Sequence, residues 1–205
     1  VLADIYVNDA FAACHRNNVS LTGYPLVMPA VAGRVLEWEY RALTWVLKYS
    51  EPPRIFILGG AKLDDVITVT EHVFSTGKAE CVAMTGLAGH LFLVAAGYDL
   101  GEVNMKILER KGGFLLLEDA KNLYEKYGER IIVPTDVAVE ASNGERAEIP
   151  VSLLPIHRPI KDIGSRTAGV IEDKVLNSKT VVMSGPAGVY EKDNFLQGTK
   201  MIAKA

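Results

Sequence analysis

The stretch Pro52–Phe74, PPRIFILGGAKLDDVITVTEHVF, contains the densest chemical signal of the chain. Its first part, Arg54–Leu58, is a short apolar run whose β-branched and aromatic residues are typical of a buried strand. Gly59 and Gly60 follow directly, and Lys62 then precedes two aspartates at the predicted start of a helix. Such a turn lets an anion approach free backbone N–H groups and the positive end of the helix dipole. The stretch therefore predicts a phosphate-binding loop.

This loop matches neither of the two common phosphate-binding motifs. It lacks the additional glycine of the P-loop and the Ser or Thr that should follow Lys62, and it does not fit the dinucleotide pattern G-x-G-x-x-G. A structural alternative therefore stays open, namely a glycine turn in an α/β sheet with a surface lysine beside it.

The composition of the chain is that of an ordinary globular protein. Its 205 residues are 49% apolar and 23% charged, enough for one substantial core, or for one core and a fragment of a second. A net charge of -3 gives no electrostatic reason to expect nucleic acid or an anionic membrane as a partner. Cys14 and Cys81 are far apart and predict buried, reduced thiols. With no spanning-length apolar run and no secretory pattern, we predict a cytoplasmic protein.

Strand, glycine turn and helix alternate along most of the chain. After the strand Arg54–Leu58, the predicted strands are 80–85, 130–133 and 180–183. The predicted helices among them are 62–74, 87–96 and 119–127, and a last helix follows Glu191. This alternation predicts an α/β fold with a mostly parallel, doubly wound, Rossmann-like sheet in three layers. Gly59, Gly86 and residues 184–188 should then line the edge formed by the C-terminal strand ends.

Two local signals add detail to this fold. Asn143-Gly144 lies between two alternating segments and predicts an antiparallel hairpin that decorates the sheet. Ser165 is the predicted N-cap of a helix over 166–176.

The N-terminal part of the chain predicts a strand over 2–7, a polar loop and a long helix over 29–49. The loop carries Arg16, and α/β proteins bind ligands in such loops, although a solvated surface arginine is an equally simple interpretation. The helix is predicted to connect two lobes, with Trp38 and Trp45 packed in a core or between the lobes.

The side chains that remain for chemistry are few. The histidines are scattered at positions 15, 72, 90 and 157 and predict surface or capping roles rather than a metal site. No nucleophile motif is present. Glycine loops at strand ends, together with Arg16, Lys62 and Glu191, form a set that needs an anionic ligand.

The order of the motifs resembles the phosphoglycerate kinase family over essentially the whole chain. The motifs are VNDAF at 7–11 followed by HR at 15–16, the long helix, ILGGAK at 57–62, SGPAGVYE at 184–191 and F-x-x-GT at 195–199. The resemblance implies a two-lobe kinase of glycolysis that transfers a phosphoryl group reversibly between ATP and 3-phosphoglycerate. It implies that residues 1–28 are a remnant of the N-terminal substrate lobe, 29–49 the interlobe helix and 50–205 the nucleotide-binding lobe.

The resemblance also implies roles for individual residues. Arg16 would bind the phosphoglycerate and the transferring phosphoryl group, Lys62 would contact the nucleotide phosphates, and Glu191 would hold the ribose hydroxyls. The remaining implied nucleotide-binding residues are Gly60, Ala61, Gly86, Ser184, Gly185 and Pro186. The implied ligands are ATP or ADP, 3-phosphoglycerate, and Mg²⁺ with its carboxylate ligand outside these residues. Neither nucleic acid nor membrane is expected, and the protein is expected to be a monomer or a homodimer.

The chain departs from the usual family pattern at three places. Val66 stands where a second lysine is usual, Ser184 replaces an asparagine, and Met84-Thr85-Gly86 replaces a triple glycine, which together resemble the divergent archaeal type. We expect the chain to be cut from a longer one, with an incomplete C-terminal end, and the 205 residues alone to be inactive. The alternative is a non-catalytic nucleotide-binding or structural α/β module that retains only the fold.

Overall fold

The computed structural model describes residues 3–205. The chain divides into two compact units, one that ends at Ser50 and one that comprises Glu51–Ala205.

The N-terminal unit contains a two-stranded parallel sheet and one long helix. Strands β1 (Tyr6–Asn8) and β2 (Ala30–Ala32) pair with Tyr6 opposite Ala30. Helix α1 (Arg34–Tyr49) follows directly after β2. Short helical turns at Phe11–Ala13, Val19–Gly23 and Tyr24–Leu26 fill the connection between the strands.

The start of α1 corrects the sequence prediction. The helix begins at Arg34 rather than at residue 29, because the preceding residues pair with β1 as a strand. The carboxylate of Asp9 caps the helix by accepting a hydrogen bond from the N–H of Leu36 at 2.9 Å. A Cβ atom on Gly33 would lie 2.3 Å from the Asp9 Cγ, so only glycine permits this approach.

Three further predictions for this unit need revision. The predicted strand over 2–7 is observed as Tyr6–Asn8, and Leu2 lies outside the described residues. Trp38 and Trp45 are 76% and 59% exposed, so they are not packed in a core of this unit, and the alternative of packing between the lobes stays a prediction. Cys14 is exposed rather than buried.

The C-terminal unit is built on a four-stranded, all-parallel sheet. Its strands are β3 (Arg54–Leu58), β4 (Cys81–Met84), β5 (Ile131–Ile132) and β9 (Thr180–Ser184), in the order β5-β4-β3-β9. The helices of this unit are α2 (Leu63–Ser75), α3 (Gly86–Ala95), α4 (Glu102–Arg110), α5 (Leu117–Tyr127), α6 (Ser165–Leu176) and α7 (Gln197–Lys204).

Strand β3 is buried on both faces, and this produces the three layers. Phe56 and Leu58 pack into one apolar cluster with residues of α2, α3 and α5. Ile55 and Ile57 point to the other face and pack with residues of α6 and α7. A near-continuous apolar strand with helices on both sides is typical of parallel sheets. The predicted doubly wound α/β fold is confirmed.

A second sheet accompanies the first. The predicted hairpin is confirmed as β6 (Asp136–Glu140) and β7 (Arg146–Pro150), which pair antiparallel. It does not decorate the parallel sheet, however, but forms a separate sheet with β8 (Ile160–Ile163), in the order β7-β6-β8. Neither β8 nor α4 was predicted from the sequence. Val137 and Val139 of β6 pack against Leu93 of α3.

Helix α6 is capped from a distance rather than by Ser165. Ser165 is its first residue, and Gly164 occupies the N-cap position. The Asp136 carboxylate accepts hydrogen bonds from the N–H groups of Arg166 at 3.0 Å and Thr167 at 2.8 Å. The helix dipole favours an anion at this end of a helix. The N-terminus of α6 is therefore capped by Asp136 of β6 and not, as predicted, by Ser165.

Arg146 connects the hairpin to β8 and to the start of α7. Its guanidinium donates to the Asp162 carboxylate at 2.9 Å, to the Ile163 carbonyl at 2.7 Å and to the Asn194 carbonyl at 3.0 Å. The Asp162 side chain is fully buried and also accepts the N–H of Gly198 at 2.8 Å. Arg146 also forms an ion pair with Glu148 of its own strand at 2.9 Å. Together, Arg146 and Asp162 therefore join the hairpin, β8 and the segment that leads into α7.

We expect Arg146→Leu to lower the free energy of unfolding by about 3–5 kcal/mol, because it leaves the buried Asp162 carboxylate without its cation. Urea denaturation measures this change. The matched control is Lys106→Leu, which removes an exposed ion pair with Glu102 on α4 and should cost less than about 1 kcal/mol. Equal losses in the two variants would contradict the role given to Arg146.

Candidate functional site

Three loops meet at the C-terminal edge of the parallel sheet. In the sheet register, Leu58 of β3 lies opposite Met84 of β4 and Ser184 of β9. The loops that follow these strands therefore begin at the same level. This confirms the prediction that Gly59, Gly86 and residues 184–188 line one edge of the sheet.

Backbone hydrogen bonds fasten the three loops to one another. The donors and acceptors are Gly59 N–H to Ser184 O at 2.7 Å, Gly60 N–H to Pro186 O at 3.1 Å, Gly86 N–H to Ala187 O at 2.9 Å and Leu87 N–H to Gly60 O at 3.3 Å. A Cβ atom on Gly59 would lie 2.4 Å from the Pro186 oxygen. The glycine at this position is thus required by the close approach of the loops.

These bonds change the interpretation of the glycine turn. The N–H groups of Gly59 and Gly60 are already bonded to carbonyls of the β9 loop, so they are not free donors for an anion, as the sequence suggested. The N-terminus of α2 is better placed for that role, since no side chain caps it. Lys62 immediately precedes this helix and is exposed.

A cavity of about 580 Å³ opens beside the loops, within the C-terminal unit. Its volume is in the range of small-molecule sites, about 300–1,000 Å³. The cavity brings together five of the predicted residues, which are Gly60, Ala61, Gly86, Pro186 and Glu191. Lys62, Ser184 and Gly185 belong to the same loops but are not among its lining residues.

The part of the cavity lining that α4, β6 and β8 contribute was missed by sequence reasoning. It includes Val137 of β6, Ile107 of α4 and Ile160–Ile163, which form β8. The segment IKDI has two charged residues in four, which is a weak strand signal. This segment can be buried because Lys161 and Asp162 have partners of opposite charge elsewhere in the chain. A local strand pattern does not reveal those partners.

The charged side chains of this part of the lining are largely committed to protein partners. Lys161 forms an ion pair with Glu140 and lies 5.2 Å from the centre of the Phe195 ring. Burial lowers the pKa of Lys161, and the nearby charge of Lys192 lowers it further. Burial raises the pKa of Asp162, and its hydrogen bonds from Gly198 and Arg146 oppose that rise.

His90 is the exception among the polar lining residues. It lies on α3, is 7% exposed, and its Nδ1 atom is buried without a hydrogen-bond partner. Burial lowers the pKa of His90 to about 4, so the imidazole is neutral at pH 7. The prediction of a surface or capping histidine is wrong at this position.

Position 66, where the family usually has a second lysine, belongs to the core in this chain. Val66 is 5% exposed and packs with the apolar residues between α2 and the sheet. A lysine ammonium there would be a buried charge without a partner. Lys62 is thus the cation that this segment offers at the edge of the sheet.

Arg16 lies in the N-terminal unit, in the bend that follows the helical turn Phe11–Ala13. Its side chain is exposed, and its backbone N–H donates to the carbonyl of Ala13 at 3.0 Å. The position agrees with the predicted polar loop after β1.

Two kinds of structural feature are absent from residues 3–205. These residues contain no group of three or more His, Cys, Asp and Glu side chains that could hold a metal ion. Within the same range, no helix has both the length and the apolar character needed to cross a bilayer.

The chain is similar to phosphoglycerate kinases in sequence. The sequence profile described as phosphoglycerate kinase matches residues 1–205. The phosphoglycerate kinase of Methanothermus fervidus is 42% identical over 204 residues, which cover 100% of this chain and 49% of that protein. The chain thus spans about half the length of the curated relatives it matches, among which archaeal proteins predominate.

Solved structures agree with the sequence comparison. The phosphoglycerate kinase of Pyrococcus horikoshii superposes with a TM-score of 0.91 at 34% identity, over 99% of this chain and 51% of that one. The enzyme from Coxiella burnetii gives a TM-score of 0.78 at 28% identity, over 99% of this chain and 52% of the other. The fold, the order of the glycine loops and the match along the entire chain lead to one conclusion: the chain belongs to the phosphoglycerate kinase family.

Proposed function

We propose that the C-terminal unit binds an adenine nucleotide, ATP or ADP, and that the chain is the nucleotide-binding part of an active phosphoglycerate kinase. That enzyme transfers a phosphoryl group reversibly between ATP and 3-phosphoglycerate. The observation that carries the proposal is the cavity that adjoins Gly60-Ala61-Lys62 at the C-terminal edge of a parallel sheet. Ligands of open α/β sheets bind at this edge.

The cavity suits the nucleoside part of the ligand. On the side of the loops, the cavity is lined by Gly60, Gly86 and Pro186, which have no side chain or a small one. The lining also includes the apolar side chains of Ile107, Val137 and Ile160, as expected for a site that takes a flat heterocycle. Glu191 is exposed and lines the cavity, where its carboxylate can accept hydrogen bonds from the ribose hydroxyls.

The phosphates belong outside the cavity, at the start of α2. The uncapped N-terminus of this helix carries partial positive charge, and Lys62 adds a full one. Phosphoryl transfer depends mainly on placing such charges around the oxygens of the transferring group. Lys62 therefore stabilises the charge that develops as the phosphoryl group moves.

Arg16 is proposed to bind the phosphoglycerate. The proposal is supported by its place in the exposed loop after β1 and by the resemblance of VNDAF and HR to the family pattern. An arginine is suited to this role because its planar fork can bind carboxylate or phosphate oxygens in pairs.

Mg²⁺ usually accompanies the nucleotide in this family, and the carboxylate that would bind it is expected outside these 205 residues. Among residues 3–205, no cluster of three or more metal-ligating side chains is formed. The roles proposed for Lys62 and Arg16 concern charge placement by the protein itself.

We further propose that the protein is cytoplasmic and is a monomer or a homodimer, as the family resemblance implies. We also propose that the 205 residues alone bind nucleotide weakly and transfer no phosphoryl group. Arg16 is the only candidate phosphoglycerate-binding residue that they contribute, and they span about half the length of the relatives.

Lys62→Ala should lower kcat by about 100-fold or more, because it removes one charge donor from the transition state. The measurement is ADP formation from ATP and 3-phosphoglycerate by the longest natural polypeptide that contains these residues. Lys111→Ala, at an exposed lysine after α4, is the matched control, and the 205-residue chain is the negative control. A loss of only twofold in Lys62→Ala would make Lys62 an ordinary surface lysine.

Arg16→Ala should lower kcat/KM for 3-phosphoglycerate by about 10-fold or more, since a charge-assisted hydrogen bond is worth roughly 1.5–3 kcal/mol. The dissociation constant for ADP should stay within about twofold of the wild-type value. Steady-state kinetics and calorimetric titration with ADP separate the two effects, with the exposed Arg110→Ala as the control. Unchanged kinetics in Arg16→Ala would remove Arg16 from the site.

A further inference from the structure

The F-x-x-GT segment, residues 195–199, is anchored to β8. Phe195 is 1% exposed, and the Lys161 ammonium of β8 lies 5.2 Å from the centre of its ring. The N–H of Gly198 donates to the Asp162 carboxylate at 2.8 Å. A Cβ atom on Gly198 would lie 2.5 Å from an oxygen of that carboxylate, so a side chain there would push the start of α7 away from β8.

From this anchored position, Thr199 reaches the loop that follows β9. Its hydroxyl oxygen accepts a hydrogen bond from the N–H of Ala187 at 2.9 Å. The carbonyl of Ala187 in turn accepts the N–H of Gly86 at 2.9 Å. Ala187 is fully buried, so its N–H cannot exchange Thr199 for water unless the loop moves. Through this one residue, Thr199 is linked to the start of α3 beside the cavity.

The Thr199 hydroxyl differs in kind from the other anchors of the loop 184–191. Those anchors join backbone groups, namely Gly59 N–H to Ser184 O, Gly60 N–H to Pro186 O, Gly86 N–H to Ala187 O and Val189 N–H to Lys161 O. Within residues 3–205, the one hydrogen bond from a side chain to this loop comes from Thr199. A substitution at position 199 can therefore remove one anchor and leave the backbone groups of the others in place.

We infer that Thr199 is a positioning residue of the nucleotide site, whose hydroxyl holds the loop 184–191 where Pro186 and Glu191 line the cavity. The inference rests on the proposed function and deepens it, since it assigns to the F-x-x-GT segment the placement of the nucleotide-binding loop.

The physical reason is the burial of the Ala187 N–H. Without the Thr199 hydroxyl, this N–H would be buried without an acceptor, which favours arrangements of the loop in which it finds another partner. The nucleotide requires the arrangement that keeps Pro186 and Glu191 at the cavity. Its apparent affinity therefore falls in proportion to the population of that arrangement.

The first test is Thr199→Val in the longest natural polypeptide that contains these residues. Valine keeps the branched shape and loses the hydroxyl. Calorimetric titration should give a dissociation constant for ADP that is about fivefold or more above the wild-type value, because part of the loop population is no longer competent to bind. Thr199→Ser, which keeps the hydroxyl, should stay within about twofold, and the KM for 3-phosphoglycerate should change by less than about twofold in both variants.

The matched control is Thr70→Val. Thr70 is a fully buried threonine of α2 whose hydroxyl donates to the Val66 carbonyl at 2.7 Å, so this variant removes a buried hydrogen bond that does not involve the loop. Its affinity for ADP should equal that of the wild type. If Thr199→Val binds ADP as tightly as the wild type, or Thr199→Ser binds it as weakly as Thr199→Val, the inference is overturned while the proposed function stands. If the wild type does not bind ADP, both fail.

Amide hydrogen exchange without ADP distinguishes a displaced loop from a general loss of stability. Thr199→Val should speed up exchange in residues 184–191 and leave β6, residues 136–140, at its wild-type rate. Equal acceleration in both segments would overturn the inference.

A further measurement needs no variant. In the ¹⁵N-labelled wild type without ADP, the Ala187 amide should be protected from exchange, because Thr199 accepts its hydrogen bond. An Ala187 amide that exchanges as fast as in an unfolded chain would also overturn the inference.

Discussion

The backbone hydrogen bonds that join the three loops at the edge of the parallel sheet are the constraint on which the site depends. They require β3, β4 and β9 to be in register, since Leu58, Met84 and Ser184 end their strands at the same level. They also require glycine at position 59, where a side chain would collide with the Pro186 carbonyl. These bonds satisfy the N–H groups of Gly59 and Gly60 within the protein. In the proposed site, the start of α2 with Lys62 is then the charged end and the cavity the apolar end.

Much of this arrangement could be predicted because the signals are local. The apolar run Arg54–Leu58 followed by glycines specifies a buried parallel strand and a close turn, and the order of such units specifies the layers. Asn143-Gly144 specifies a hairpin for the same reason, since the turn geometry is set by two adjacent residues. The candidate residues of the loops follow from these elements and from the family resemblance.

The rest depends on contacts between residues distant in sequence. Helix α6 is capped by Asp136, about 30 residues earlier, so the adjacent Ser165 was the wrong choice. Strand β8 contains two charged residues, of which Asp162 is buried and paired with Arg146, while Lys161 is paired with Glu140. Its backbone is held in turn by Asn104 of α4, whose amide oxygen accepts the N–H of Ile160 at 2.8 Å. The lining contributed by α4, β6 and β8 and the burial of His90 on α3 could therefore not be predicted from local patterns.

Whether the three loops form one nucleotide site is tested most directly by amide hydrogen exchange with and without ADP. Mass spectrometry of peptides from the C-terminal unit measures the exchange. If the interlocked loops form one nucleotide site, ADP should slow exchange together in the segments 59–66, 86–91 and 184–191. The hairpin turn at 141–145 lies outside the cavity lining and should exchange at the same rate in both conditions. Slower exchange in only one of the three loop segments, or in none of them at saturating ADP, would contradict the claim that they act as a single site.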